Sequence, residues 1–165
     1  MKQTNKGLVI VESPSKIKTL KKFLGSEYII NASVGHVRDL PKNDLGVDLE
    51  NNFKANYIPS PDKTSVIKEL KSQVKNAETI FIATDPDREG EAIGWHLIEI
   101  LKPKVPIKRI VFHEITKTAI QESFNHTREI DSSLVGAQEA RRIIDRLWGF
   151  LVSKKLWMNI KGGLS

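Results

Sequence analysis

ETIFIATDPDREGEAIGWHL, residues 78–97, is the stretch on which the fold turns. A β-branched apolar run ends at Ala83, an acidic turn follows, and the segment after it extends with helical spacing to about residue 102. The run is short and flanked by turn residues, as in a strand buried on both faces. The turn gathers Asp85, Asp87, Glu89 and Glu91 around Arg88. A strand that passes through an acidic turn into a helix is one βα unit of an α/β fold.

The same pattern recurs on either side. GLVIVE (7–12) is expected to be a buried strand, and SPSKIKTLKKFLG (13–25) a helix with Ser13 as cap, Pro14 in its first turn and Gly25 at its end. EYIINAS reads as a second strand. Residues 41–62, rich in Pro, Asn, Asp and Gly, read as a long irregular loop. Asp62 is placed to cap a helix through KTSVIKELKSQVK, IKRIVF as a strand, and Thr116 to cap KTAIQESF. This alternation predicts a mainly parallel sheet with helices on both faces, residues 1–128. Sites in such sheets form at the carboxyl ends of strands, where Glu12 and Asp85 both fall. From residue 129 the character changes. A helix-period stripe (residues 140, 143, 144, 147, 148 and 151) has no partner strand, and residues 129–165 read as the first helix or helices of a second, α-helical domain whose remainder is missing. Trp148 and Trp157 are expected in the core.

The 165 residues carry a net charge of +6 and no cysteine. Disulfides and thiolate zinc sites are thereby excluded, and a cytoplasmic location is the default. The apolar runs fall far short of the roughly 20 residues that span a bilayer, so no membrane partner is expected. Charge is segregated: residues 1–22 hold six lysines against Glu12, and residues 141–165 hold six basic residues against Asp145, so the middle is acidic. Basic ends around an acidic centre suit a polyanion together with an acidic metal pocket.

Pro86 biases Asp85 toward extended backbone, where residues i and i+2 point the same way, so Asp85 and Asp87 lie side by side. Like charges that close repel unless a cation sits between them. Mg²⁺, which prefers hard oxygen ligands and bridges carboxylates to phosphate, fits the pattern. Glu12 can add a third carboxylate, and Arg88 can reach a phosphate that the metal touches. Helix capping accounts for one or two of the acids. A lone D-x-D is also shared by phosphatases and glycosyltransferases, so this turn leaves the chemistry open.

VESPSK, SVGHVRDLP, LGVD, ATDPDREGEAIGWHL, FHEIT and QEARRIIDRLWGF together resemble the Toprim-containing N-terminal part of type IA DNA topoisomerases, closer to the bacterial topoisomerase I branch than to topoisomerase III or reverse gyrase. The likeness runs from about Leu8 to the C-terminus and implies a Rossmann-like Toprim sheet. It implies an ATP-independent enzyme that relaxes negatively supercoiled DNA by transient single-strand cleavage through a 5′-phosphotyrosine, strand passage and religation. By resemblance Glu12 sits at the scissile phosphate and donates a proton to the leaving oxygen, and Lys16 stabilises phosphate charge. Arg88 belongs with this catalytic group. Asp85, Asp87 and Glu89, with Glu12, hold Mg²⁺, for which Mn²⁺ substitutes.

His36, Arg38, Arg142, Arg146 and Phe150 match DNA-contacting positions for a single-stranded segment, Phe150 standing where a tyrosine is common. Glu91 is taken as a helix N-terminal charge. Neither Tyr28 nor Tyr57 matches the family's nucleophile motif, so the chain is expected to be a monomeric, catalytically inactive fragment that supplies the acidic half of a split site, with no zinc. The alternatives are another Toprim protein, primase-like or OLD-nuclease-like, and a non-catalytic nucleic-acid-binding module.

Overall fold

The computed structural model describes residues 7–159; within that range the side chains of Lys154, Trp157 and Asn159 are left aside, so the expectation for Trp157 lies outside the described residues. Along the described chain run strands β1 (Gly7–Val11), β2 (Tyr28–Ala32), β3 (Arg38–Asp39), β4 (Val47–Asp48), β5 (Lys54–Ala55), β6 (Ile58–Pro59), β7 (Ile80–Ile82) and β8 (Ile107–Arg109). The helices are α1 (Ser15–Leu24), α2 (Thr64–Val74), α3 (Arg88–Leu101), α4 (Lys117–Asn125), α5 (Ser132–Leu147) and α6 (Ser153–Asn159).

One sheet organises the chain. Its strand order is β2-β1-β7-β8 and every neighbouring pair is parallel. Successive side chains along β1 point to opposite faces, and each face has its own core. Leu8 and Ile10 pack with Ile80, Ile82 and the buried sides of α2 and α3, through Ile67, Leu70, Ile93 and Leu97. Val9 and Val11 pack with Phe81, Ala83, Leu20 of α1 and Ile120 of α4. Helices on both faces explain why β1 reads as an unbroken apolar run.

The expected elements are present, with differences at their edges. The N-cap of α1 is Pro14, which offers no side-chain bond, while Ser13 Oγ, one residue earlier, accepts a long bond from the Ser15 amide at 3.4 Å and shares one with Ser15 Oγ at 2.8 Å. Asp62 does not cap α2, because Pro61–Lys63 forms a 3-10 turn and the helix starts at Thr64. Thr116 does cap α4, accepting from the Ala119 amide at 3.3 Å. The stretch read as an irregular loop contains two short antiparallel ribbons, β3 with β6 and β4 with β5. Two-residue strands carry too little periodicity to be seen in a sequence.

Helix α5 opens at Asp131, whose carboxylate accepts from the Ser133 and Leu134 amides, and it packs along α3. Its apolar stripe is only partly covered: Val135 is buried, while Ile144 is 63% and Trp148 68% exposed. Trp148 is therefore not a core residue. A π-helical turn, Trp148–Val152, joins α5 to α6. Among the described residues no helix is long and apolar enough to cross a membrane.

Candidate functional site

Parallel pairing of β1 with β7 decides what comes together. Ile10 is in register with Ile82, so the residues just beyond the two strands, Glu12 and Asp85, emerge side by side at the carboxyl edge. Asp87 follows two residues later as the N-cap of α3, its Oδ1 accepting from the Gly90 amide at 2.7 Å. Glu89 stands in the first turn of α3. Glu12, Asp85, Asp87 and Glu89 line one open cleft of about 380 Å³, walled by Ser13, Pro14, Val34, Gly35 and Ile93.

One ammonium group neutralises the inner pair. Lys16, in the first turn of α1, places Nζ 3.1 Å from Glu12 Oε1 and in closer contact with Asp85 Oδ1. Burial pushes the Glu12 carboxyl up, and its hydrogen bond with Asp85 pushes it further, against the pull of Lys16. That same hydrogen bond from Glu12, helped by Lys16, holds Asp85 down against its own burial. The pair is thus polarised, with the more basic carboxyl on Glu12. Burial works against the Lys16 charge, but hydrogen bonds to Asp85 and Glu12 more than compensate, and the ammonium is held charged.

The side chains do not already form a closed ligand shell: among the described residues no group of three or more His, Asp and Glu is arranged as a metal site. Lys16 bridges the inner pair, and Asp87 has one oxygen committed to capping. The donor set is nonetheless four carboxylates on one cleft with a single lysine between two of them. Hard oxygen donors of this kind fit Mg²⁺ with most of its waters retained. Arg88 is exposed beside them at the start of α3.

The DNA-contact candidates fall in two further places. His36 Nε2 lies 3.5 Å from Glu89 Oε1 at the cleft's edge. Arg38 lies half-buried, its guanidinium 5.7 Å from the centre of the Tyr57 ring and 5.6 Å from that of Trp95. His36, Arg38, Tyr57, His96, Glu139 and Arg142 border a second cavity of about 190 Å³. There Arg38 Nη1 and His96 Nδ1 are buried without a hydrogen-bond partner. His96 is held neutral, burial lowering its pKa from 6.5 to about 3.

Arg142 and Arg146 do sit on one face of α5, one turn apart, but neither hangs free in solvent. Arg142 grips Asp39 through Nε at 3.0 Å and Nη2 at 2.6 Å, while Arg146 Nη1 donates to the Pro41 carbonyl at 2.8 Å. The Arg146 guanidinium also lies 5.1 Å from the centre of the Phe150 ring, and these three residues line a shallow groove with Asp145 and Gly149. Burial would raise Asp39, but the Arg142 fork outweighs it and holds the carboxyl low.

Two features were not legible in the sequence. Glu91 stands in the first turn of α3, as expected, but it is fully buried, with Arg109 Nε 2.9 Å and Arg128 Nη2 2.6 Å from its Oε1. The reason is its position on the inner side of the first turn of α3, where only ion pairing makes a carboxylate tolerable. Val34, at φ 57°, puts a β-branched residue in the left-handed region on the cleft wall, next to Gly35 at φ 82°. The Gly35 amide donates to the Glu12 carbonyl at 3.0 Å, which fixes that wall against the end of β1.

Residues 7–115 match the family model described as the Toprim domain. The chain belongs to the Toprim family. It is 51% identical to DNA topoisomerase 1 of Streptomyces coelicolor, an alignment that covers 99% of this chain and 19% of that relative. Its structure is similar to the full-length topoisomerase I of Thermotoga maritima with a TM-score of 0.85 and 46% identity, over 96% of this chain and 27% of that one. The chain therefore spans about a fifth of the curated relative and about a quarter of the solved one. The Toprim match takes in β1, β7 and every carboxylate of the cleft, and ends before α5.

Proposed function

We propose that this chain is the Toprim part of a type IA DNA topoisomerase, in which it supplies the acidic half of the active site. The observation that carries the reading is the cleft formed by Glu12, Asp85, Asp87 and Glu89 at the ends of two adjacent parallel strands, in a chain 51% identical to a DNA topoisomerase 1 over nearly its whole length. That identity, which runs past the Toprim match into α5, favours a topoisomerase over a primase-like or nuclease-like Toprim protein. Residues 129–165 are read as the beginning of a helical DNA-gripping region.

Within this reading each residue has a task. Glu12, whose carboxyl is raised by burial and by Asp85, is the group that gives a proton to the leaving 3′ oxygen at cleavage. Lys16 turns from its carboxylates to the scissile phosphate and offsets its charge. Asp85, Asp87 and Glu89, with Glu12, hold Mg²⁺, or Mn²⁺ in its place. The metal supplies charge neutralisation and orientation of the 3′-OH and phosphate for resealing. Arg88 steadies the same phosphate. His36, Arg38, Arg142, Arg146 and Phe150 line the path of the single strand.

Neither tyrosine here is suited to be the nucleophile. Tyr28 packs against Phe81 and Phe124, and burial raises the Tyr57 hydroxyl to about 12. The attacking tyrosine is assigned to another part of such an enzyme.

A chimera tests the proposal. The chain replaces the matching segment of the Streptomyces coelicolor relative, and relaxation of negatively supercoiled plasmid is followed in Mg²⁺. Relaxation is expected, and its loss on Asp85→Asn with Asp87→Asn. A folded chimera with no activity, or plasmid nicking by the isolated chain that Asp87→Asn abolishes, would overturn the topoisomerase reading.

A further inference from the structure

We propose that the cluster of buried Glu91 and Arg109 with the half-exposed Arg128 is a positioning device, which fixes the backbone of the carboxylate cleft and ties it to helix α5. It rests on the reading of that cleft as a cation site. Glu91 Oε1 accepts from Arg109 Nε at 2.9 Å and from Arg128 Nη2 at 2.6 Å, while Oε2 accepts from the Asp131 backbone amide at 2.9 Å. Asp131 is the cap of α5. One carboxylate on the first turn of α3 thereby holds the start of the helix that carries Arg142 and Arg146.

Arg109 makes the other half of the link. Its Nη1 donates to the Ile110 carbonyl at 2.6 Å and the Ile82 carbonyl at 3.2 Å, and its Nη2 to the Asp85 carbonyl at 2.8 Å. Ile82 ends β7, and Asp85 is a cleft carboxylate. The Asp85 carbonyl is also closely approached by Gly90, since a Cβ there would lie 2.0 Å from it. Asp85 is followed by Pro86, which has no amide and biases it toward extended backbone. The guanidinium supplies a fixed partner for the peptide group that aims its side chain. Backbone bonds in both directions between Arg109 and Arg128, each 2.9 Å, hold the second arginine in place.

Stability is a poor explanation for the cluster. Burying two such ions costs several kcal/mol each before their attraction is counted, and apolar replacements of like volume are often neutral or better. Two arginines meet one buried carboxylate, and the remaining donors of Arg109 are spent on backbone carbonyls, among them that of Asp85 at the cleft. That directional use is what an apolar substitute loses.

The test is the double variant Glu91→Leu, Arg109→Met in the full 165-residue chain, with Arg128 free to turn to solvent. Three measurements are made: melting temperature, Mn²⁺ affinity by electron paramagnetic resonance, and amide exchange at Asp131, Ser133 and Leu134. A folded variant is expected to bind Mn²⁺ about 10- to 100-fold more weakly, the usual effect of removing a group that orients metal ligands. Its three α5 amides should exchange faster. Wild-type Mn²⁺ affinity together with wild-type exchange, in a variant that melts normally, would make the cluster only a core ion pair and sink the proposal.

Should the double variant fail to fold, Glu91→Gln keeps the shape and an acceptor for the Asp131 amide while removing the charge, and Mn²⁺ affinity decides. If the wild-type chain binds no Mn²⁺, the cation-site reading fails by itself. The exchange arm then still decides the tether to α5: unchanged rates overturn it.

Discussion

Lys16→Met should tighten divalent-cation binding, and the size of the effect can be worked from the cleft. The Lys16 ammonium, 16% exposed, lies 3.1 Å from Glu12 Oε1 and closer still to Asp85 Oδ1, so it occupies the space between two carboxylates offered to a cation. A unit charge about 5 Å from a divalent ion costs about 1.7 kcal/mol at the dielectric of water and about four times that at an effective dielectric near 20. Asp85 is 43% exposed, and the cleft is open to solvent, so the lower figure is the relevant one. It corresponds to at least about a tenfold lower dissociation constant for Mn²⁺. Methionine keeps a stem of similar length, so packing changes little. Without cation the variant should melt lower than the wild type, because Glu12 and Asp85 lose their neutralising partner; Mn²⁺ should then raise its melting temperature by more. Titration of both proteins by electron paramagnetic resonance at low salt reads the affinities, with Asp85→Asn as the control that weakens binding. Equal or weaker Mn²⁺ binding by folded Lys16→Met would refute the idea that lysine and metal compete for one site.

Substituting Gly90 by Ala should destabilise the chain by about 1–3 kcal/mol, the usual range for overpacking, because the new Cβ meets a backbone oxygen rather than a flexible side chain; urea denaturation measures it, and Mn²⁺ affinity should fall with it. His96 is neutral in the fold, with a pKa lowered from 6.5 to about 3, so unfolding takes up a proton between those values. Stability is full above pH 6.5 and falls as the pH drops below it, by up to about 1.4 kcal/mol per pH unit. Glu12 and Glu139 are raised and pull the opposite way just above pH 4.5, in wild type and variant alike. His96→Phe should therefore flatten the pH dependence of stability between pH 6.5 and 5, and an unaltered profile would show that His96 is charged in the fold. Arg142→Ala with Arg146→Ala should flatten the salt dependence of single-strand binding by roughly 1.4 in slope, at about 0.7 per lost phosphate contact. Fluorescence anisotropy over a salt series measures it, and an unchanged slope would leave both arginines as props between α5 and the β3–β4 segment.

What the sequence disclosed, and what it hid, follows from the range of each interaction. Strand β7, the acidic turn and α3 were legible because their signals are local: an apolar run, a proline between two aspartates, and an aspartate placed to cap. The neighbourhood of Glu12 and Asp85 was legible at one remove, since a parallel sheet sends consecutive strand ends to the same edge. Glu91 does stand in the first turn of α3, but its burial was not legible, because nothing within a helical turn of it distinguishes a dipole-favoured surface acid from a buried one. Its partners, Arg109 and Arg128, are 18 and 37 residues away along the chain. Arg142 and Arg146, four residues apart, share one face of α5, but their grip on Asp39 and Pro41 spans 103 and 105 residues, and helical spacing says nothing about which loop lies opposite. The apolar stripe of α5 shows the limit from the other side. Periodicity identified a helix with a face to cover, but Ile144 and Trp148 remain exposed. A stripe records that burial is favourable, while only an opposing surface makes it happen.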